Sequence, residues 1–183
     1  MSKRRTFISV VIMVWVALFS LSKATAESDY SSAEYAIKAA FLYNLTKFVE
    51  WPPEVLSNTD SFCIAILGRD PFGETIDVLQ NKEVRGRKIV VQRVTTLENL
   101  GRCHILFISN SENDRIRSIL ERLRNRPILI VGESDDFARQ GGMISLVKRE
   151  NKVKLEINPK AAEQSGLKIS SHLLKLATIV ESR

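Results

Sequence analysis

Apolar and polar residues come in alternating blocks along most of this chain, and the blocks predict strands separated by helices. Four runs rich in β-branched and aliphatic residues have the length of strands; they are 62–67, 87–94, 103–108 and 128–131. Strands that carry apolar residues on both faces and are joined through helices are typical of a parallel sheet covered on both sides. The pattern therefore predicts a single α/β domain with three αβα layers and a mostly parallel sheet.

The pattern changes in the last third of the chain, where two strand-like runs, 142–147 and 152–157, are separated by only four residues. The second run alternates apolar and charged side chains, as a strand with one solvated face does. A connection this short favours an antiparallel hairpin. We therefore expect a hairpin at the edge of the sheet, followed by a short helix near 161–164 and a last helix that begins at Ser170 and Ser171.

The first helix is predicted to begin at a pair of serine caps and to run to about Glu50, ahead of two prolines. Its core stripe is expected at Ile37, Phe41, Leu45 and Phe48. Further apolar side chains widen the stripe beyond one face. This helix therefore requires cover on more than one side.

Residues 1–26 have the layout of a secretory signal peptide. A basic start at 3–5 precedes an apolar run at 7–21, and a small-residue motif ends at Ala26. The alternative is an uncleaved membrane anchor, but the run is shorter than the ~20 residues that a membrane-spanning helix needs. We therefore predict export to the periplasm, cleavage after Ala26 and a mature domain of residues 27–183 without stable membrane insertion.

Removal of this leader changes the charge of the chain. The whole sequence has a formal net charge of +6, and four of its positive charges belong to lysines and arginines in residues 1–26, so the exported domain carries +2. A nearly balanced domain outside the cytoplasm lacks the basic surface that nucleic-acid binding needs. We therefore expect no nucleic acid among its partners.

Two cysteines, Cys63 and Cys103, stand at the starts of two predicted strands. If these strands are parallel neighbours in register, their first residues lie about 5 Å apart, within the range that a disulfide bond accepts. An even number of cysteines in an exported protein favours such a bond. The alternative is a pair of buried free thiols. A metal-binding or catalytic role is disfavoured, because the sequence has no Cys-x-x-Cys motif and only two histidines.

The sequence offers no evident catalytic group. His104 lies in an apolar strand, which favours a hydrogen-bonded core residue over a catalyst. His172 is adjacent to Ser171 on a helix, where neighbouring side chains point about 100° apart and do not form a dyad. Neither of the common glycine-rich phosphate-binding motifs occurs. We therefore predict a protein without enzymatic activity and without a cofactor.

Small and polar residues follow three of the predicted parallel strands. They are Arg69 and Asp70 after the first, Ser109 and Asn110 after the third, and Glu133 and Ser134 after the fourth. Open α/β sheets bind ligands at the edge where the strands end, so these residues form a candidate crevice for a small polar ligand. The alternative is that they only cap the helices that follow.

Three stretches of the chain carry distinctive motifs. The first contains Ala39–Asn44 and Lys47–Pro52, the second is Gly141–Ile144, and the third contains Ile157–Pro159, Gly166–Ser171 and Leu173–Ala177. Together they resemble the YfiR-type family of exported regulators. The resemblance implies a periplasmic αβα protein, often dimeric and not an enzyme, that represses an inner-membrane diguanylate cyclase by binding its periplasmic segment. It also implies that envelope stress or altered redox state relieves the repression, which raises cyclic-di-GMP and promotes biofilm formation.

The resemblance also bears on the cysteines, because Cys63 and Cys103 match the position of a family disulfide. Members linked to redox sensing carry a further cysteine pair near the Gly-Gly hairpin, whereas residues 141–157 of this chain contain no cysteine. The resemblance thus implies a structural disulfide rather than a redox switch. The rival hypothesis for the whole protein is a periplasmic small-molecule receptor that uses the crevice at the strand ends.

Side chains beyond the core stripe of the first helix provide a candidate interface. They are Tyr35, Leu42, Tyr43 and Trp51. Aromatic and large apolar residues of this kind dominate protein–protein interfaces, which favours a homodimer or partner contact here. The alternative is that they cover an edge of the domain's own sheet.

Overall fold

The computed structural model describes residues 32–57 and 59–182. Tyr35–Arg183 form one compact unit. The predicted leader lies outside the described residues, so its cleavage after Ala26 stays a prediction. None of the helices that the structure describes has both the length and the apolar character of a membrane span.

The described elements follow the predicted order of helices and strands. In chain order they are α1 (32–48), β1 (Val49–Glu50), α2 (Pro53–Ser57), β2 (Ser61–Leu67), β3 (Glu83–Val84), β4 (Arg87–Val94), β5 (Ile105–Ile108), α3 (Ile116–Leu123), β6 (Leu129–Gly132), β7 (Ile144–Arg149), β8 (Lys152–Ile157), α4 (Pro159–Gln164), β9 (Lys168–Ile169), α5 (Ser171–Leu174) and β10 (Thr178–Ile179). The connections include 3₁₀ helices at Gly73–Leu79, Leu97–Asn99 and Asn110–Arg115.

One sheet has eight strands in the order β10-β8-β7-β6-β5-β2-β4-β3. Five neighbouring strands pair in parallel, in the spatial order β4-β2-β5-β6-β7. Every residue of β5 and β6 is buried. Strands buried along their whole length need cover on both faces of the sheet. The predicted α/β class with a mostly parallel sheet is confirmed.

The predicted hairpin is confirmed as the antiparallel pair of β7 and β8. Its turn consists of Glu150 and Asn151, whose φ angles of 49° and 60° lie in the left-handed region, as a two-residue hairpin turn requires. The hairpin is not the outermost part of the sheet, because β10 pairs with β8 in parallel. A strand of two residues carries too little periodicity to be predicted from the sequence.

Phe137 explains why a glycine stands at the end of β6 and another before β7. Its ring is fully buried, and a Cβ atom added to Gly132 or Gly142 would lie 2.4 Å or 2.2 Å from ring atoms. A close-packed interior has no room for such contacts. Gly141, with φ of +104°, occupies a backbone conformation that side chains disfavour. The Gly-Gly motif is therefore a packing requirement.

The buried stripe of α1 differs in phase from the predicted one. The buried residues from 38 to 49 are Lys38, Ala39, Leu42, Leu45, Thr46 and Val49. Ile37, which was predicted to be in the stripe, is 49% exposed, while Phe41 and Phe48 are half-buried. A helix with apolar residues around most of its circumference does not define its own buried face. The sheet to which it docks decides the phase instead.

Candidate functional site

The two cysteines lie side by side at the amino ends of β2 and β5. These strands are parallel neighbours, as predicted, but the register pairs Ile64 with Ile105, so Cys103 is displaced by one residue from Cys63. The two thiol groups are nevertheless neighbours, and each affects the acidity of the other. Both side chains are buried free thiols in this structure. The disulfide between them stays a prediction.

Burial and the proximity of the two thiols make them differ in acidity. The neighbouring Cys103 thiol lowers the pKa of Cys63, whereas burial raises the pKa of Cys103 well above its ordinary value. Sγ of Cys103 also lies 2.8 Å from the carbonyl oxygen of Ile105, to which it donates. Because the thiolate is the reactive form of cysteine, oxidation of this pair would begin at Cys63.

His104 packs between the cysteines and an aromatic cluster. Its Nδ1 accepts a hydrogen bond from the backbone N–H of Cys63 at 3.0 Å, and its ring stacks on Phe62 with centroids 4.5 Å apart. Burial, and after it the positive charge of Arg87, lowers the pKa of His104 to about 4. The imidazole is therefore neutral near pH 7, and its single proton lies on Nε2. This is the hydrogen-bonded core histidine that its strand position favoured.

The second histidine of the chain, His172, is exposed and stacks on Phe48 with ring centroids 5.8 Å apart. It therefore packs as an aromatic surface residue at the start of α5. Within residues 32–57 and 59–182, no three His, Cys, Asp or Glu side chains come together as metal ligands would.

At the opposite end of the sheet, the predicted crevice is organised around Glu133. This residue is 7% exposed, and its carboxylate accepts hydrogen bonds from Nζ of Lys38 at 2.7 Å, the hydroxyl of Tyr35 at 3.1 Å and the backbone N–H of Asn110 at 3.1 Å. A buried charge of this kind requires a partner. Because Lys38 and Tyr35 belong to α1, the ion pair fastens this helix to the carboxyl ends of β5 and β6.

The other predicted crevice residues reach the same edge but bond mainly within the fold. The Asp70 carboxylate accepts hydrogen bonds from the backbone N–H two residues later at 2.8 Å and from Nε of Arg93 at 2.7 Å. Ser109 caps the 3₁₀ helix that follows it. Arg69 is exposed, and the hydroxyl of Ser134 is buried without a hydrogen-bond partner among the described residues. The ligand hypothesis for this crevice stays a prediction.

The four residues of the predicted interface have two different environments. Leu42 is 0% exposed and Trp51 is 5% exposed, and Nε1 of the indole donates to the carbonyl of His104 at 3.2 Å. These two side chains are part of the domain's own core rather than of its surface, since the sheet covers that side of α1. Tyr35 and Tyr43 are half-buried. The apolar residues of α1 that are exposed are others, Ala36, Ile37 and Ala40 among them.

Two arginines that the sequence did not single out hold the first two helices in place. Arg85 donates to the carbonyls of Thr46 at 3.2 Å and Val49 at 2.7 Å, at the end of α1. Arg87 donates to the carbonyl of Leu56 at 2.8 Å, in α2. Carbonyls at helix ends lack partners within the helix, and these guanidinium groups supply them. Every residue has a backbone carbonyl, so the sequence does not show which carbonyls will accept hydrogen bonds from an arginine, and this role could not be predicted.

Comparison with known proteins adds one finding. The sequence model of the YfiR/HmsC-like family matches residues 35–178, which extend from α1 to β10. The matched range includes the cysteine pair, Glu133 and the Gly-Gly motif. No curated protein is matched by the chain.

Proposed function

Because the chain belongs to the YfiR/HmsC-like family, we propose that it is a periplasmic regulator without enzymatic activity that binds and represses an inner-membrane signalling protein. The family match over residues 35–178 carries this proposal. The partner that we propose is a diguanylate cyclase, contacted through its periplasmic segment. Repression of the cyclase would link envelope stress to cyclic-di-GMP and to biofilm formation, and the regulator would act as a homodimer.

We place the contact with the partner on the outward face of α1. Ile37 is 49% exposed there, Ala36 and Ala40 are exposed beside it, and the half-buried rings of Tyr35 and Tyr43 flank the same helix. Exposed apolar surface of this kind marks interaction sites when several residues contribute to it. The buried ion pair of α1 with Glu133 supports the placement, because it holds this face rigidly on the sheet.

Photo-crosslinking tests the contact directly. A p-benzoylphenylalanine residue replaces Ile37 in the full-length chain, and the control chain carries it at Val78, which is apolar and 61% exposed on the 3₁₀ helix Gly73–Leu79. We expect Ile37 to capture an inner-membrane protein that contains a diguanylate cyclase domain, and Val78 not to capture it. Capture of the same proteins from both positions, or of no membrane protein from Ile37, would contradict the proposed contact.

A small-molecule receptor function at the strand ends ranks second. The carboxylate of Glu133, the most buried charged group of that crevice, already has Lys38 and Tyr35 as partners. A polar ligand there would have to compete with an intramolecular ion pair. The observed contacts therefore favour the regulator.

A further inference from the structure

A cavity of about 290 Å³ lies at the amino ends of the parallel strands, opposite the predicted crevice. Its walls are mostly apolar, and Val55, Cys103, Pro127 and Ile128 contribute to them. The volume is at the lower limit for small-molecule sites. An occupant would therefore be small and would have an apolar body.

His104 lines this cavity and carries a hydrogen-bond donor that is not satisfied. The residue is 2% exposed, and its Nε2 has no hydrogen-bond partner among the described residues. Nδ1 is engaged by Cys63, so the N–H of the neutral ring is on Nε2. A buried donor without an acceptor destabilises the fold, because it has lost its hydrogen bond with water and gained none in return. A ligand oxygen that reached the ring would remove this cost.

The element above the ring can make room for such an oxygen. The carbonyl of Val55 in α2 is close enough to favour the protonated ring slightly, but it does not complete a hydrogen bond. None of the five residues of α2 is buried, and the Arg87 guanidinium holds the helix at the carbonyl of Leu56. Val55 is half-buried against the core, and a small outward movement of this residue would let a ligand oxygen take the place of its carbonyl beside the ring.

The rim of the cavity has one positive charge in excess. Glu54, Arg102 and Arg126 line it, and Glu54 and Arg102 have interactions of their own. The Arg126 guanidinium is exposed and has no ion-pair or hydrogen-bond partner in the part of the chain that the structure describes. A planar guanidinium recognises a carboxylate through two parallel hydrogen bonds. One arginine matches a single negative charge.

From this combination we propose that the amino-end cavity binds a small monocarboxylate with an apolar body. The carboxylate pairs with Arg126 and accepts a hydrogen bond from the Nε2–H of His104, while the apolar body packs against Val55 and Ile128. The site lies at the other end of the sheet from Glu133 and goes beyond the proposed repression of a membrane partner. It does not depend on that proposal.

Fluorescence titration with hexanoate tests the site, because Trp51 lies next to it. The ring centroids of Trp51 and His104 are 6.5 Å apart, and the substitution Trp15→Phe leaves Trp51 as the only tryptophan whether or not the leader is retained. We expect a saturable change of Trp51 emission with hexanoate and none with hexylamine, which has the same length and the opposite charge. Absence of a saturable hexanoate signal, or an equal response to hexylamine, would overturn the proposal.

Two arginines provide matched variants for this titration. Arg126→Ala removes the proposed partner and should weaken hexanoate binding about tenfold, as the loss of one charged hydrogen-bonding group does. Arg124→Ala should change it less than twofold, since Arg124 is also exposed but lines a different cleft. Equal effects of the two substitutions would overturn the assignment to this cavity.

Nuclear magnetic resonance of the histidine rings checks the second contact without a substitution. Hexanoate should move the Nε2–H resonance of His104 and leave the resonances of exposed His172 in place. A His104 signal that stays constant while Trp51 responds would overturn the role of the imidazole.

Discussion

The two ends of the parallel sheet use their polar side chains in different ways. At the carboxyl ends, Glu133 accepts three hydrogen bonds and its charge is balanced by Lys38. At the amino ends, a free thiol pair, a neutral histidine with an unsatisfied N–H and a cavity lie together. One end is closed and fixes α1, while the other keeps groups that can still react or bind. Parallel α/β sheets usually hold ligands at their carboxyl ends, and in this molecule α1 occupies that place.

The largest effect is expected where α1 closes the carboxyl ends. Leu42→Asp places a charge without a partner at a position that is 0% exposed, and we expect it to lower the free energy of unfolding by more than about 5 kcal/mol. That loss is comparable to the whole stability of many domains. Urea denaturation followed by circular dichroism measures it. The control Ile37→Asp, at a position that is 49% exposed, should cost less than about 0.5 kcal/mol, and similar costs for both variants would refute the observed phase of α1.

The next largest loss of stability is expected from breaking the Lys38–Glu133 ion pair at the carboxyl ends of the strands. Glu133→Ala leaves the Lys38 ammonium buried without a counter-charge, and removal of one partner of a buried pair costs about 3–5 kcal/mol. Adding Lys38→Met should recover most of the loss, because no uncompensated charge then remains. The same denaturation assay compares the single and the double variant. If Lys38→Met brings no recovery, the ion pair does not fasten α1.

Oxidation of the two cysteines should stabilise the amino ends of the parallel strands. A disulfide between Cys63 and Cys103 would close a loop that, in the chain-entropy model, stabilises the fold by about 4 kcal/mol. We expect the oxidised chain to unfold at a higher urea concentration than the reduced chain. Mass spectrometry counts the free thiols in each sample. In the variant with Cys63→Ala and Cys103→Ala, a reductant should not change the urea concentration at which the chain unfolds. An oxidised periplasmic sample with two free thiols would exclude the bond.

The pH dependence of stability should also originate at the amino ends of the parallel strands, where His104 lies. The pKa of His104 in the folded state is about 4, below its ordinary value of 6.5, so the unfolded chain takes up the proton first as the pH falls. The contribution of His104 is complete above pH 6.5 and decreases from there to pH 4, by about 3 kcal/mol in total. Between pH 7 and pH 5, the wild type should lose about 2 kcal/mol more than His104→Asn. Equal losses would show that the ring is not held neutral by burial.

The sequence predicted the features of the fold that local patterns encode. The strands predicted at 62–67 and 128–131 and the antiparallel hairpin are confirmed. The first strand of the hairpin is Ile144–Arg149 rather than 142–147, so the turn has two residues instead of the expected four. The strands of two residues were missed, because β1, β3, β9 and β10 owe their pairing to neighbours rather than to periodicity. The proximity of the two cysteines followed from adjacent parallel strands, but their offset of one residue did not.

The candidate sites were less predictable, because they depend on which side of α1 meets the sheet. Nearly all of its circumference is apolar, so Ile37 was assigned to the core and Leu42 to the surface, the reverse of what the structure shows. Lys38 carried the missing signal. A lone lysine on the same helical face as Leu42 and Leu45 indicates a buried partner of opposite charge, and Glu133 at a strand end was the available acid.

The central proposal is that this protein represses a membrane enzyme from outside the cytoplasm. The most direct test is the amount of cyclic-di-GMP in cells that lack the chain and are complemented either with the full sequence or with residues 27–183 preceded only by Met. We expect deletion to raise cyclic-di-GMP, the full sequence to lower it again and the leaderless chain to have no effect. Unchanged cyclic-di-GMP after deletion, or equal repression by the leaderless chain, would contradict the account.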